Sequence, residues 1–231
     1  MTHIICFGDS ITRGENDAAA GGWVDRLKAR EICRFVTGSR AETCVFNMGI
    51  GAETSDGLVQ RFANELAPRM AAPHMAAPHM AAPQRTFVTL AYGANDVAIT
   101  AQQHSVPLAR FISNLRICIE HAQELGVQPI LINILPVAQY LDGVPNNLGK
   151  RRLNTDIASY NQALAQLAED TSVPLIDVAA LFSNSRGGFG LLTADGVHPN
   201  SAGHRLLFEC IYSHLEHITR VEMAASVDMQ L

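Results

Sequence analysis

No stretch of this 231-residue chain approaches the roughly eighteen consecutive apolar residues that a membrane-crossing helix needs. The opening MTHIICFGDS also lacks a basic segment followed by an apolar core and a small-residue cleavage site, so the sequence predicts a cytoplasmic protein with no membrane span. Basic residues are scarce. Seventeen Lys and Arg against 22 Asp and Glu leave a formal net charge of −5, which argues against a nucleic-acid partner, since phosphate binding needs clustered cations. The one basic run, Lys150-Arg151-Arg152, is as well explained by a first helical turn as by an anion site. The five cysteines (Cys6, Cys33, Cys44, Cys118 and Cys210) are odd in number, scattered and without CxxC spacing, and read as reduced thiols rather than disulfides or metal ligands. Only one tryptophan is present, Trp23, and core packing accounts for it. No serine lies in G-x-S-x-G, which argues against an ordinary α/β-hydrolase.

What the chain does have is apolar runs of strand length, near 3–8, 43–48, 86–92, 128–135 and 173–178, each followed by a longer helix-compatible segment. Runs such as PILINIL are apolar at nearly every position, which suits a parallel sheet covered on both faces, and the alternation predicts an α/β fold in a single domain over 1–219. Helices are expected at 19–36, 54–69, 107–125, 152–170 and 200–217. The segment at 107–125 is the clearest: Leu108, Phe111, Ile112, Leu115 and Ile119 recur at helical steps, with Pro107 at the start and Gly126 just past the end. Between the second helix and third strand, MAAPH, MAAPH and MAAPQ repeat over 70–84. Proline at every fifth position forbids a regular helix there, so the segment reads as an inserted surface loop, and His74 and His79 have no nearby carboxylate or thiolate with which to bind a metal. Deleting Met75–His79 is expected to leave folding and turnover nearly unchanged. His204, His214 and His217 are expected on the surface of the last helix, and the tail at 220–231 is open to self-association as a homo-oligomer.

In open parallel sheets, ligands gather beyond the carboxyl ends of the strands. The loops expected there carry polar residues of defined chemical use. A serine hydroxyl becomes a nucleophile only with an imidazole to take its proton, an acceptor to orient that imidazole, and donors for the developing oxyanion. Ser10 follows Gly8 and Asp9 at the end of the first strand, and Asp9 is a candidate substrate contact. DGVHP places Asp195 and His198 three residues apart, although Asp-Gly is also an ordinary turn pair and Pro199 an ordinary first helical residue. Asn95, in GAND after the third strand, offers a donor that does not titrate. The long loop at 136–150 is expected to line an acyl or alcohol pocket, with Tyr140 and Leu141 as candidate walls.

GDSITRG, NMGIGAETS, GAND and DGVHP, in that order, resemble the four sequence blocks of the GDSL/SGNH hydrolases from the first strand to the last helix. The resemblance implies a flavodoxin-like three-layer α/β/α sandwich whose five-stranded parallel sheet has the order 2-1-3-4-5. It also implies ester hydrolysis through an acyl-enzyme on a small-molecule or lipid-like ester, without metal or organic cofactor. By position, Ser10 corresponds to the nucleophile, His198 to the base, Asp195 to its orienting carboxylate, and Ser10 and Asn95 to oxyanion donors. The family's oxyanion glycine falls on Ala52 here, preceded by Gly51. Alanine keeps the N–H, but a positive φ at Ala52 would strain the hole or leave Gly51 to supply the donor. Two other readings stand beside this one: an anion- or nucleotide-binding module, although GDSITRG matches neither GxGxxG nor GxxxxGK[ST], and a catalytically silent ligand binder.

Overall fold

A computed structural model describes residues 1–70, 85–184 and 190–228. The repeat from Ala71 to Gln84, with His74 and His79, lies outside the described residues, and so does the expectation of a surface loop there. The five apolar runs form β1 (Thr2–Gly8), β2 (Thr43–Gly49), β3 (Arg85–Ala91), β6 (Gln128–Ile132) and β7 (Leu175–Ile176), all parallel and in the order β2-β1-β3-β6-β7. Counting only these strands, that is the expected 2-1-3-4-5. A short antiparallel hairpin, β4 (Ile99–Thr100) and β5 (Gln103–His104), adds a separate two-stranded sheet. The last two strands of the main sheet are shorter than their apolar runs. Beyond Ile132, the Asn133 N–H donates to the Ile176 carbonyl at 3.3 Å, and its side chain accepts from the N–H groups of Val178 and Ala179 and donates to Asp177.

The alternating faces of β1 separate two cores. Ile5 and Phe7, with Val88, Leu90 and Leu131, pack against α3 (Ser55–Leu66), α4 (Leu108–Glu124) and α5 (Asn154–Thr171). Ile4 and Cys6, with Phe87, Ile130 and Ile176, pack against α2 (Trp23–Val36), α6 (Ala179–Asn184) and α7 (Ser201–Asp228). Helices therefore cover both faces, as strands without a polar face require. Trp23 is 2% exposed and belongs to the second core.

Helix boundaries follow local chemistry. The helix α2 starts only after Gly21 and Gly22, and α7 starts where the Asn200 side chain accepts from the N–H groups of Ala202 and Gly203. The helix α7 runs on to Asp228, so residues 220–228 continue it. His204 departs from the expected surface position. It is fully buried, with Nε2 3.1 Å from the Glu15 carbonyl, and burial pulls its pKa down to about 4. The first turn of α7 packs there against the loop that carries Glu15 rather than facing solvent.

Register does the rest. Gly8 pairs with Gly49 on one side and Ala91 on the other, so β1, β2 and β3 end side by side and their following loops emerge at one edge.

Candidate active site

Ser10 opens a one-turn helix, α1 (Ser10–Arg13), capped by Asp9, whose Oδ1 accepts from the Ile11 N–H at 2.9 Å. The sharp turn from strand to helix leaves Ser10 Oγ facing the far end of the chain, 2.8 Å from His198 Nε2. On the other side of the ring, His198 Nδ1 lies 2.7 Å from Asp195 Oδ2. The protonation pattern follows from what each group is able to do. An ionised carboxylate only accepts, so Nδ1 carries the hydrogen, and Nε2 presents its lone pair to the Ser10 hydroxyl.

Asp195 is held by its own loop. Its Oδ1 accepts from the N–H groups of Val197 (2.9 Å) and His198 (3.0 Å) and from the Thr193 hydroxyl (2.8 Å). These donors outweigh the desolvation that opposes them and bring the carboxyl down to about 2. The loop is in turn fixed to the body of the protein. Pro199 bridges to Leu192, and Arg26 of α2 donates to both Asp17 and Ser201 at the start of α7.

Two loops bring Gly51, Ala52 and Asn95 to the cleft that Ser10 lines. The N–H groups of Gly51 and Ala52 meet no acceptor among the described residues, and both residues line the cleft in front of Ser10. Ala52 has φ +61°, the left-handed conformation in which an L residue is strained, while Gly51 is not at positive φ. The N–H at 52 is retained, and the strain considered from the sequence is present. Asn95 brings a side-chain amide to the same cleft: its Nδ2 lies 3.1 Å from the Glu53 carbonyl and 3.4 Å from Asp9 Oδ2. It follows Gly93, whose φ of +125° and close approach to Ile134, 2.3 Å from where a Cβ would stand, leave room for no other residue.

Several polar groups that support these loops carried no signal strong enough to single them out in the sequence. Glu53, next to Ala52, pairs with Arg61 and accepts from the Tyr92 hydroxyl at 2.6 Å, while Arg61 also donates to the Met48 carbonyl. Asp96 is fully buried and accepts from the Ser55 N–H and hydroxyl, joining the third loop to the start of α3. Arg152 was visible only as part of a basic run. It is not an exposed first-turn residue, since its guanidinium donates to the Ala94 carbonyl at 2.5 Å and to Asn95 Oδ1 at 3.1 Å.

The cleft encloses about 510 Å³. Its apolar wall comes from the loop after β6 and includes Val137, Leu141, Val144 and Leu148, and Arg13, Lys150 and Arg152 supply cations. Leu141, a candidate wall in the sequence, lines this cleft. Tyr140 is 56% exposed and does not line the cleft, and Asp9, 3% exposed, is buried beneath the nucleophile, capping α1 rather than facing a ligand. Burial raises the Asp9 carboxyl to about 6, against the opposing pull of the Ile11 N–H. Among the described residues, no three His, Cys, Asp or Glu side chains gather as a metal site.

A sequence model of the GDSL-like lipase/acylhydrolase family matches residues 6–206. The chain belongs to that family. This GDSL protein is therefore a carboxylic ester hydrolase. It is 26% identical over 222 residues to the isoamyl acetate-hydrolyzing esterase 1 homolog of Bos taurus, covering 92% of this chain and 81% of that one. It is 27% identical over 235 residues to the lipoprotein YqeF of Bacillus subtilis, covering 90% and 87% of the two chains. In fold, the GDSL chain matches a lipase/acylhydrolase from Enterococcus faecalis with a TM-score of 0.71 at 23% identity, over 94% of this chain and 96% of that one. It also matches an acetylxylan esterase from Geobacillus stearothermophilus with a TM-score of 0.65 at 20% identity, over 90% and 91%. No described helix of the GDSL protein is long and apolar enough to cross a membrane.

Proposed function

We propose that this hydrolase is a serine esterase that cleaves short-chain, acetyl-type esters of small alcohols through an acyl-enzyme on Ser10. The observation that carries the reading is the continuous line from Ser10 Oγ to His198 Nε2 (2.8 Å) and from His198 Nδ1 to Asp195 (2.7 Å), standing in front of the donors of Gly51, Ala52 and Asn95. Ser10 Oγ attacks the ester carbonyl carbon while its proton passes to His198 Nε2, and the carbonyl oxygen becomes an oxyanion facing those N–H groups. When the intermediate collapses, the carbon–oxygen bond to the alcohol breaks and His198 returns the proton to the departing oxygen. Water, deprotonated by the same imidazole, then attacks the acyl carbon and frees Ser10. Asp195 stays ionised throughout, holding the imidazole and balancing its charge when protonated.

The substrate class is supported by the activities for which similar proteins are named, isoamyl acetate hydrolysis and acetylxylan ester hydrolysis, and by a cleft of modest volume with one apolar wall. A cytoplasmic setting is part of the same proposal, and the five unpaired cysteines accord with it. The test is hydrolysis of p-nitrophenyl esters from acetyl to decanoyl by the wild type and Ser10→Ala. The expected result is fastest turnover on the shortest chains, and none above background in the variant. A Ser10→Ala protein that keeps its rate would overturn the nucleophile, and a preference for decanoate would overturn the substrate class.

A further inference from the structure

The side chain of Asn95 is useful to an oxyanion only when its amide nitrogen, and not its oxygen, faces the reacting carbonyl. The two ends of a carboxamide are nearly the same size, so shape does not choose between them, and hydrogen bonding must. Arg152 stands on one side of it. A guanidinium only donates, and its Nη2 lies 3.1 Å from Asn95 Oδ1. On the other side is the carbonyl of Glu53, which only accepts, 3.1 Å from Asn95 Nδ2. Rotating the amide by half a turn would set oxygen against oxygen and donor against donor.

The same guanidinium also holds the main chain of this loop, because Arg152 Nε donates to the Ala94 carbonyl at 2.5 Å. One planar fork therefore grips the residue before Asn95 and the amide of Asn95 itself, a geometry that a lysine ammonium cannot reproduce. Arg152 reaches this place from the loop before α5, fixed by the Arg151 backbone, which exchanges hydrogen bonds with Ile99 at 2.8 and 3.1 Å.

We infer that Arg152 is a positioning residue for the oxyanion hole, locking the Asn95 amide so that its nitrogen points at the developing negative charge. The inference rests on the esterase reading above. Asn95 Nδ2 makes its second contact, at 3.4 Å, with Asp9 Oδ2, at the long edge of hydrogen bonding, so that hydrogen is readily ceded to an oxyanion. Arg152 itself need not touch the substrate for this role.

A double-mutant cycle on p-nitrophenyl acetate tests it, using Arg152→Ala, Asn95→Ala and the double variant, with Arg152→Lys alongside. Asn95→Ala is expected to lower kcat about 10²- to 10³-fold. Arg152→Ala is expected to lower kcat about 10- to 100-fold, with KM within about twofold, and Arg152→Lys to recover only part of that loss. In the Asn95→Ala background, removing Arg152 is expected to cost no more than about threefold. Losses that multiply in the double variant would overturn the inference, as would full recovery by Arg152→Lys, which would mean that charge alone matters. A rise in KM confined to an anionic ester such as the p-nitrophenyl hemisuccinate would also overturn it, making Arg152 a substrate contact. If Arg152→Ala does not fold, the cycle is run with Arg152→Lys. A wild type no faster than Ser10→Ala removes the esterase reading and this inference with it, whereas an active wild type with multiplying losses removes this inference alone.

Discussion

Ser10, His198 and Asp195 form a chain in which each residue decides what the next one does, and Asp195 sits at its outer end with 45% of its side chain exposed. Its four acceptor contacts show that it organises the loop as well as the ring. Asp195→Asn keeps the shape but turns one acceptor into a donor facing Nδ1, so the imidazole loses the reason to present its lone pair to Ser10. The expected loss in kcat is about 10²- to 10⁴-fold, measured on p-nitrophenyl acetate, and a loss under about threefold would show that the ring is oriented without the carboxylate. Ala52 is the second telling residue. Its φ of +61° is unfavourable for an L residue by about 1–2 kcal/mol, while glycine has more freedom to lose on folding. Ala52→Gly is therefore expected to stabilise by about 0.5–1 kcal/mol in urea unfolding and to keep or raise kcat, since the N–H remains. Destabilisation would show that the Ala52 methyl group contributes more through packing than the strain removes.

Among the elements, the loop after β6 and the loop before α7 do most to shape the cleft, and they touch each other. The Ala138 N–H donates to the Gly196 carbonyl at 2.8 Å, and a Cβ at Gly196 would stand 2.5 Å from Leu141 Cδ1. Gly196 also has φ +66°, between Asp195 and His198. Gly196→Ala combines a clash with a strained backbone at the base of the imidazole, so kcat is expected to fall about tenfold or more and stability by about 1–3 kcal/mol. The shortest approach is to the Leu141 side chain, with Ala138 Cβ next at 3.0 Å, so Leu141→Ala in the same protein should restore part of the rate. If it restores none, the backbone conformation and not the contact is responsible.

At the scale of the whole molecule, buried titratable groups set opposing pH dependences of stability. Burial raises Asp9 and Asp96 to about 6 from 3.8, so between those values the folded state holds protons that the unfolded chain has released, and stability falls as pH rises. Burial lowers His204 to about 4 from 6.5, so in that window the unfolded chain binds the extra proton and stability rises with pH. Asp9→Asn keeps an N-cap for α1 and removes one group of the first kind. Relative to wild type, this variant is expected to gain stability as pH goes from about 4 to 7, by at most about 3 kcal/mol, read from urea midpoints across that range. A difference that stays constant with pH would show that Asp9 is not held protonated by its burial.

Much of this was legible in the chain before any fold was known. Alternation within β1 assigns Ile5 and Phe7 to one core and Ile4 and Cys6 to the other because successive side chains on a strand point to opposite faces. The helix at Leu108–Glu124 was legible from its apolar spacing, and Ser10, Asn95, Asp195 and His198 stood out as candidates from short turn patterns together with the resemblance of four ordered blocks to the GDSL/SGNH hydrolases. Other features depend on where distant segments meet. Arg152 and Asn95 are 57 positions apart, and nothing in either local sequence shows that one guanidinium would grip the other's amide. His204 follows a helix start that gave no sign that its first turn would be buried against the loop carrying Glu15, and Tyr140 and Leu141 are neighbours in sequence of which only Leu141 lines the cleft. Periodicity and turn chemistry are properties of a few consecutive residues, whereas burial and long-range hydrogen bonds are set by the path of the whole chain through its packed layers.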